Sequence, residues 1–210
     1  MKTYPMTLHG AIETNAYFYI DEQSGHGFLI DPGAEADKLL KTITDHQWTI
    51  EKILLTHGHF DHIGAVEKLY RELGCKYYIH IEGKNYLTDP YLNLSAYFDE
   101  AITLNTPSLL ADNETIILDI KPDIRLNVIH TPGHTRGSMC IECENNLFTG
   151  DTLFCRAVGR TDLPTGDGIS LAKSVDKLRI LKEDCIVYPG HGVATTIGEE
   201  KKYNPWMSFR

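Results

Sequence analysis

Long apolar runs are what this 210-residue sequence most plainly lacks. No stretch approaches the roughly 18 apolar residues of a membrane-spanning helix. Residues 1–20 also show no basic start leading into an apolar run and a small-residue cleavage site. A cytoplasmic protein without membrane contact is expected. Positive charge is scarce: 20 Lys and Arg face 29 Asp and Glu, for a net charge of −9. That is the wrong sign for gripping a phosphate backbone, so nucleic acid is not an expected partner. The five cysteines are an odd number, scattered in a pattern that suits reduced thiols better than a disulfide framework. Cys140 and Cys143 form a CxxC within an apparent strand, and no second pair completes a zinc knuckle. Both are expected to pack in the core. No repeat or low-complexity linker divides the chain, and its length fits one domain, 1–210. Nothing calls for an obligate protein partner.

Histidine, by contrast, is concentrated in Thr56 His57 Gly58 His59 Phe60 Asp61 His62. His57 and His59 lie two apart, so an extended backbone sends both imidazoles to one side, while the neighbours Asp61 and His62 must diverge. One loop can therefore offer two imidazoles to one ion, and a carboxylate plus an imidazole to a second ion about 3.5 to 4 Å away. Gly58, lacking Cβ, would let the backbone approach the ions. The competing reading is a polar turn with solvated histidines, but clustered His and Asp at ligand spacing seldom only solvate a loop.

Three later segments end an apolar strand in a glycine and a polar residue: Thr131 Pro132 Gly133 His134, Leu147 to Asp151, and Tyr188 Pro189 Gly190 His191. With the first motif they supply five histidines and two aspartates. Two ions can be shared as His57, His59 and His134 on one and Asp61, His62 and His191 on the other, with Asp151 bridging and room for a bridging water. Two divalent cations less two carboxylates leave a positive centre even after hydroxide binds. Such a centre favours a hydroxide nucleophile at neutral pH and an anionic transition state. His9, His26, His46 and His80 lack neighbouring ligands and read as ordinary polar positions. His130 reads as structural or as a support for a ligand. Asp31 either bonds a ligand from beneath or simply makes the turn Asp31 Pro32 Gly33.

Periodicity predicts strands at Ala16–Ile20 and Gly27–Ile30, joined as an opening hairpin, and at Ile53–Leu55, Tyr77–His80, Thr115–Leu118, Leu126–Ile129, Ser138–Glu142, Leu147–Thr149 and, last, Ile186–Tyr188. Helices are predicted at Ala36–His46, at Ile63–Leu73 with Val66, Leu69, Tyr70 and Leu73 on one face, and at Ile169–Leu181. Asn85–Ala101 has no readable period. Its Tyr86, Tyr91, Tyr97 and Phe98 either roof a substrate pocket or pack as core. Strands and helices mixed through both halves predict an α+β fold, two sheets face to face with helices outside.

The stretch His57 to His62, followed by His134, Asp151 and His191, resembles the metallo-β-lactamase superfamily along nearly the whole chain. The resemblance implies an αββα sandwich with two mixed β-sheets. Gly159 Arg160 Thr161 Asp162, Pro189 to Gly192, Thr195 to Glu200 and Asn204 Pro205 are similar to the glyoxalase II-like hydrolases, which act on glutathione thioesters. The longer glyoxalase II enzymes add a helical glutathione-binding domain, whereas only residues 192–210 follow His191 here, so the shorter branch is expected. The absent secretory signal weakens a β-lactamase reading, and the acidic charge a nuclease one. The expected activity is hydrolysis of a small-molecule acyl thioester by a hydroxide bridging two divalent ions, Zn foremost, with Fe or Mn as alternatives. Asp61 would also steer the water's proton, and Tyr91, Tyr97 and Arg160 would contact substrate. Arg160 and Asp162 read equally as an ion pair bracing their loop. The runner-up is a persulfide dioxygenase, which the resemblance implies would hold one iron on His57, His134 and Asp151. A non-enzymatic metal-binding module is a third reading.

Overall fold

Side chains that alternate along the strands divide the interior into three apolar layers, and these dictate the architecture. In β2 (Glu13–Ile20), Phe18 and Ile20 face one way while Tyr17 and Tyr19 face the other. Leu29 against Phe28 and Ile30 repeats the division in β3 (His26–Ile30), as Ile53 and Leu55 against Leu54 do in β4 (Thr49–Leu55). Strands apolar on both faces must be covered on both, and here a second sheet covers one face and helices the other. Each fully buried Leu, Ile or Phe contributes about 1.5–3 kcal/mol.

The computed structural model describes residues 1–98 and 100–208. In the first sheet, β1 (Lys2–His9), β2 and β3 run antiparallel, and β4, β5 (Lys76–His80) and β6 (Ser108–Leu110) continue parallel to β3. Helices α1 (Ala36–Asp45), α2 (Phe60–Ile63) and α3 (Val66–Leu73) belong to this half. Leu39 and Ile43 of α1, with Val66 and Leu69 of α3, pack on the outer face of its sheet. In the second half come β7 (Thr115–Ile117), β8 (Arg125–His130), β9 (Met139–Cys143), β10 (Asn146–Gly150), a small hairpin of β11 (Leu153–Phe154) and β12 (Ala157–Val158), α4 (Gly168–Leu178), β13 (Ile186–Pro189), β14 (Thr195–Thr196), α5 (Ile197–Tyr203) and α6 (Pro205–Ser208). The second sheet has the order β14-β13-β10-β9-β8-β7, with β10 and β13 parallel and the other pairs antiparallel. Leu171, Val175, Leu178, Ile197 and Met207 cover its outer face. The result is the αββα sandwich of two mixed sheets that the sequence implied. Among the described residues no helix is long and apolar enough to cross a membrane.

Several expectations need correction. The chain opens with β1, which periodicity missed because this edge strand is mostly solvent-facing and contains Pro5, a residue tolerated at edges. The helix expected over Ile63–Leu73 is two helices, split at Gly64 and Ala65. There a Cβ on Gly64 would collide with the Gly33 carbonyl, and Ala65 N–H bonds Pro32 O at 3.0 Å. Of the four residues read on one face of this helix, Val66 and Leu69 are buried, while Tyr70 is 40% exposed with its ring edge-on to Tyr77. Ile186–Tyr188 is not the final strand, since the two-residue β14 and two short helices follow. Helix α4 begins where Asp167 Oδ1 caps Ser170 N–H at 2.7 Å and ends at Leu178, earlier than expected.

The segment without a period, Asn85–Ala101, is organised by one fully buried side chain, Asn93. Its Nδ2 donates to Tyr86 O at 2.8 Å and Ile102 O at 2.9 Å, and its Oδ1 accepts from Ser95 N–H at 2.9 Å. Side chain to backbone bonding of this kind leaves no hydrophobic rhythm. Cys140 packs outside the second sheet and Cys143 between the sheets; both are buried free thiols, and burial pushes that of Cys140 up to about 11.

Candidate metal centre

The first cluster follows directly from β4. Leu55 is fully buried, and the chain then leaves the sheet through Thr56, whose N–H and hydroxyl are both held by Asp31, at 2.7 Å to Oδ1 and 2.6 Å to Oδ2. The same Oδ2 accepts from His62 Nδ1 at 2.9 Å. Asp31 thus makes the turn, at φ 49, and also bonds a ligand candidate from beneath; the two readings of this residue are one arrangement.

Every second ring nitrogen but one is similarly engaged. The Thr56 hydroxyl gives its proton to Asp31 and so accepts from His57 Nδ1, 3.3 Å away. His134 Nδ1 donates to the Arg160 carbonyl at 2.8 Å, and His191 Nδ1 to the Glu13 carbonyl at 2.6 Å. The loop carrying His191 is further held by β2: Asn15 N–H bonds Gly190 O at 2.7 Å and Tyr17 Oη bonds Pro189 O at 2.6 Å. These bonds assign the tautomers and turn Nε2 of His57, His62, His134 and His191 inward as lone pairs in the neutral rings. His59 differs, turning Nδ1 inward, with Nε2 buried and unpartnered.

The inward atoms form three overlapping groups: His57, His59 and His134; His57, His62 and Asp151; Asp61, His62 and His191, each with its ligand atoms within 4.8 Å of one another. His59 Nδ1 is 3.1 Å from His57 Nε2 and 3.0 Å from His134 Nε2. His191 Nε2 is 3.3 Å from Asp61 Oδ2. Asp151 stands between the groups, with Oδ1 3.4 Å from His62 Nε2 and Oδ2 3.5 Å from His134 Nε2 and 3.4 Å from His191 Nε2.

Such a crowd of acceptors demands positive charge. His62 Nε2 and Asp151 Oδ1 are buried without a hydrogen-bond partner, a cost of roughly 1–3 kcal/mol each if nothing else meets them. The electrostatics agree. Burial, then the neighbouring imidazoles, pushes His57 well below its usual range, and burial followed by His134 lowers His59 to about 3. Against the opposing effect of burial, Asp61, Asp151 and Asp31 hold His62 well above the ordinary imidazole value, and Asp151 with Asp61 raises His191 to about 10. Burial likewise opposes ionisation of Asp61 and Asp151, yet His62 and His191 keep both below the usual carboxylate range. Protons meet part of this demand. Divalent cations would meet it while engaging the lone pairs, and imidazole nitrogen with carboxylate oxygen is the donor set they take.

A cavity of about 560 Å³ opens above the centre, with His59, Asp61, His134, Asp151 and His191 among its lining. Its walls are Ile12, Phe60, Phe98, Phe154, Val158 and Leu163, of which sequence reading singled out only Phe98. They lie far apart in the chain, on loops, at the start of α2 and on a hairpin of two-residue strands, so no local pattern marks them. Of the aromatics expected at substrate, Tyr97 is 70% exposed and lines an adjoining cavity, while Tyr91 is 67% exposed and lines neither cavity. Tyr86 is buried, with its hydroxyl on the Thr165 hydroxyl. Arg160 lines the main cavity, and its guanidinium is tied to Asp162 at 2.7 and 2.6 Å. Gly58 also needs correction, because a Cβ there would collide with Tyr86 rather than crowd the centre. The glycine that lies against the candidate ligands is Gly190, where a Cβ would run into Asp151 Oδ1 and crowd His62 Cε1. His130 is structural, stacked on His80 at 3.9 Å with Nε2 on Arg136 O at 2.9 Å.

Comparison with known proteins bears on this geometry. A profile of the metallo-beta-lactamase superfamily matches residues 9–191. The hydroxyacylglutathione hydrolase GloC of Haemophilus influenzae is 35% identical over 204 residues, covering 95% of each chain. Among solved structures, the BLEG-1 B3 metallo-beta-lactamase superimposes with a TM-score of 0.92 at 37% identity, covering 99% of this chain and 100% of that one. TTHA1623 in a di-iron-bound form gives 0.85 at 34% identity, covering 97% and 99%. Sandwich, strand-end histidines and sequence agree: the chain belongs to the metallo-β-lactamase superfamily and resembles its short, glyoxalase II-like members.

Proposed function

We propose that the protein is a metal-dependent hydrolase of small acyl thioesters working with two divalent cations, zinc foremost and iron or manganese as alternatives. The observation that carries this reading is the position of Asp151, whose two oxygens face different histidines from between the two outer groups. His57, His59 and His134 would hold one cation and Asp61, His62 and His191 the other, with Asp151 shared. The bound pair supplies Lewis-acid polarisation of a carbonyl and a water acidified toward neutral pH.

The chain's own groups do the rest. Asp61 Oδ2, within 3.2 Å of the Thr14 hydroxyl, lies at the cavity floor, where it can take and orient a proton of the attacking water. The hydrogen bonds from Nδ1 of His62, His134 and His191 to Asp31, Arg160 and Glu13 hold those rings in place, so little reorganisation is needed during reaction. The apolar wall excludes bulk water from the acyl group. Water oxygen bonds to the acyl carbon, the C–S bond breaks, and the thiolate leaves and takes up a proton. The printed name of the H. influenzae relative, a hydroxyacylglutathione hydrolase, supports this class of reaction.

A second reading, a persulfide dioxygenase holding one iron on His57, His134 and Asp151, draws only on the choice of metal in the similar TTHA1623, which was solved with two irons. Metal analysis of the purified chain with parallel assays of thioester hydrolysis, β-lactam hydrolysis and oxygen uptake decides among them. The β-lactam arm is included because BLEG-1 is named for it. One iron per chain, with oxygen consumed on glutathione persulfide far faster than thioesters are cleaved, would overturn the hydrolase.

A further inference from the structure

The cavity above the centre has a chemical character that narrows what enters it. Leu94 joins Ile12, Phe60, Phe98, Phe154, Val158 and Leu163 in its walls, and Phe98 and Ile12 are each 43% exposed, apolar surface waiting for a cover. Its volume of about 560 Å³ is that of a small-molecule site. Among the described lining residues Arg160 is the sole Lys or Arg, and the Nε and Nη2 edge of its guanidinium is taken by the two oxygens of Asp162. The adjoining cavity, about 430 Å³, shares Ile12, Phe60, Asp61 and Phe98 with the first. It adds the small residues Gly10, Ala11, Gly33 and Ala34 together with the carboxylate of Glu100, and its described lining has no Lys or Arg.

Glutathione carries two carboxylates and one ammonium. Carboxylates are recognised by free guanidinium, ammonium or clustered N–H donors, and one pressed against an apolar wall or beside Glu100 loses hydration without recompense. The chain's net charge of −9 adds no long-range attraction for an anion. An apolar acyl group, by contrast, covers Phe98 and Ile12 and needs no partner beyond the centre that holds its carbonyl.

We propose that this site takes thioesters of apolar acyl groups, aromatic or medium-length aliphatic, and makes no specific contact with the carboxylates of an anionic peptide carrier. This rests on the thioesterase reading and names its substrate class.

The test uses the full-length zinc-loaded protein and four thioesters, crossing lactoyl and phenylacetyl groups with glutathione and the neutral carrier N-acetylcysteamine. Phenylacetyl should exceed lactoyl in kcat/KM by about tenfold or more on either carrier, since a single methylene in an apolar pocket is worth roughly 10- to 200-fold. Exchanging the carriers should change KM by less than about fivefold. A smaller acyl preference, or a larger preference for glutathione, overturns the proposal. Binding of two unreactive thioethers, S-hexylglutathione and S-hexyl-N-acetylcysteamine, measured by calorimetry, separates this inference from the reading beneath it. If no thioester is cleaved, the hydrolase assignment falls, while the thioethers still decide the character of the site. Affinities within about fivefold of each other, both weakened about fivefold or more by Phe98→Ala, support it. Tighter binding of the glutathione form beyond that margin, no binding of either, or indifference to Phe98→Ala overturns it.

Discussion

Asp31 and His62 are 31 positions apart in the chain, yet Asp31 Oδ2 lies 2.9 Å from His62 Nδ1 and the same carboxylate carries both polar groups of Thr56. The first motif is therefore held by a residue outside it. Asp31→Asn keeps a side chain that tolerates the positive φ but replaces one acceptor oxygen with a donor. The variant should fold and lose about 10- to 100-fold in affinity for the cation beside His62, read by chelator competition. Unchanged affinity for both cations would show that Asp31 only makes the turn.

If Asp151 is shared as proposed, Asp151→Asn replaces a charged bridge with a neutral amide. Stabilisation of transition-state charge is worth several kcal/mol, so turnover should fall by roughly 10³-fold or more, with metal content reduced and the circular dichroism spectrum retained. Near-native metal content and turnover in this variant rule out a shared pair.

His62→Ala separates the two chemistries. It removes a member of the groups with Asp61 and His191 and with His57 and Asp151, while the triad side chains His57, His134 and Asp151 are themselves retained. Thioester hydrolysis should drop by roughly 10²-fold or more if both cations are needed, whereas an iron dioxygenase should keep most of its oxygen uptake. The ratio of the two rates in the variant is the measurement.

Metal loading should release protons. In the cation-free centre His62 sits well above the usual imidazole value and His191 at about 10, so at pH 7 both hold a proton that an incoming cation must displace. Because the proton competes with the metal below the folded pKa, apparent affinity should rise with pH through neutrality and level off toward pH 10. Calorimetric titration of apoprotein with zinc, repeated in buffers of different ionisation enthalpy, counts the protons released. A pH-independent affinity between pH 6 and 9 contradicts the charge pattern described above.

Glu200 is fully buried and accepts from three donors: Arg156 N–H at 2.8 Å, Thr195 Oγ1 at 2.7 Å and Asn204 Nδ2 at 2.8 Å. Asn204 Nδ2 also reaches Ala157 O at 3.0 Å, so the C-terminal helix fastens the β11–β12 hairpin that carries Phe154 and Val158 of the cavity wall. Glu200→Ala strands buried donors and should cost about 3 kcal/mol or more in urea unfolding. A loss under about 1 kcal/mol would mean that water replaces the carboxylate without penalty.

Sequence patterns carried the centre further than its surroundings. His57 to His62 announce themselves by spacing, and His134, Asp151 and His191 by the recurrent strand, glycine, polar residue order, so all seven could be named, and they come together in space. The sandwich was legible because strands and helices are mixed through both halves of the chain. The cavity wall was not, since Ile12 and Leu163 come from separate loops and Phe154 and Val158 from a hairpin of two-residue strands, too short for a period and placed by tertiary packing. Tyr91 and Tyr97 were chosen for being aromatic, a property equally at home on the surface, where both stand. Glu200 lay in the quoted run Thr195 to Glu200, but a carboxylate engaged only by uncharged donors leaves no mark in composition.

His191 is steadied by the carbonyl of Glu13, 178 positions earlier, and its loop by Asn15 and Tyr17 of β2. The last candidate ligand to be synthesised is thus seated by a strand that leaves the ribosome long before it. A nascent chain that already displays His57 to His62 has no place for the cation of Asp61, His62 and His191 until translation has passed Gly190 and the two halves have closed on each other. On the proposed two-cation reading, complete charging of the centre is therefore a post-translational event that reports a finished fold.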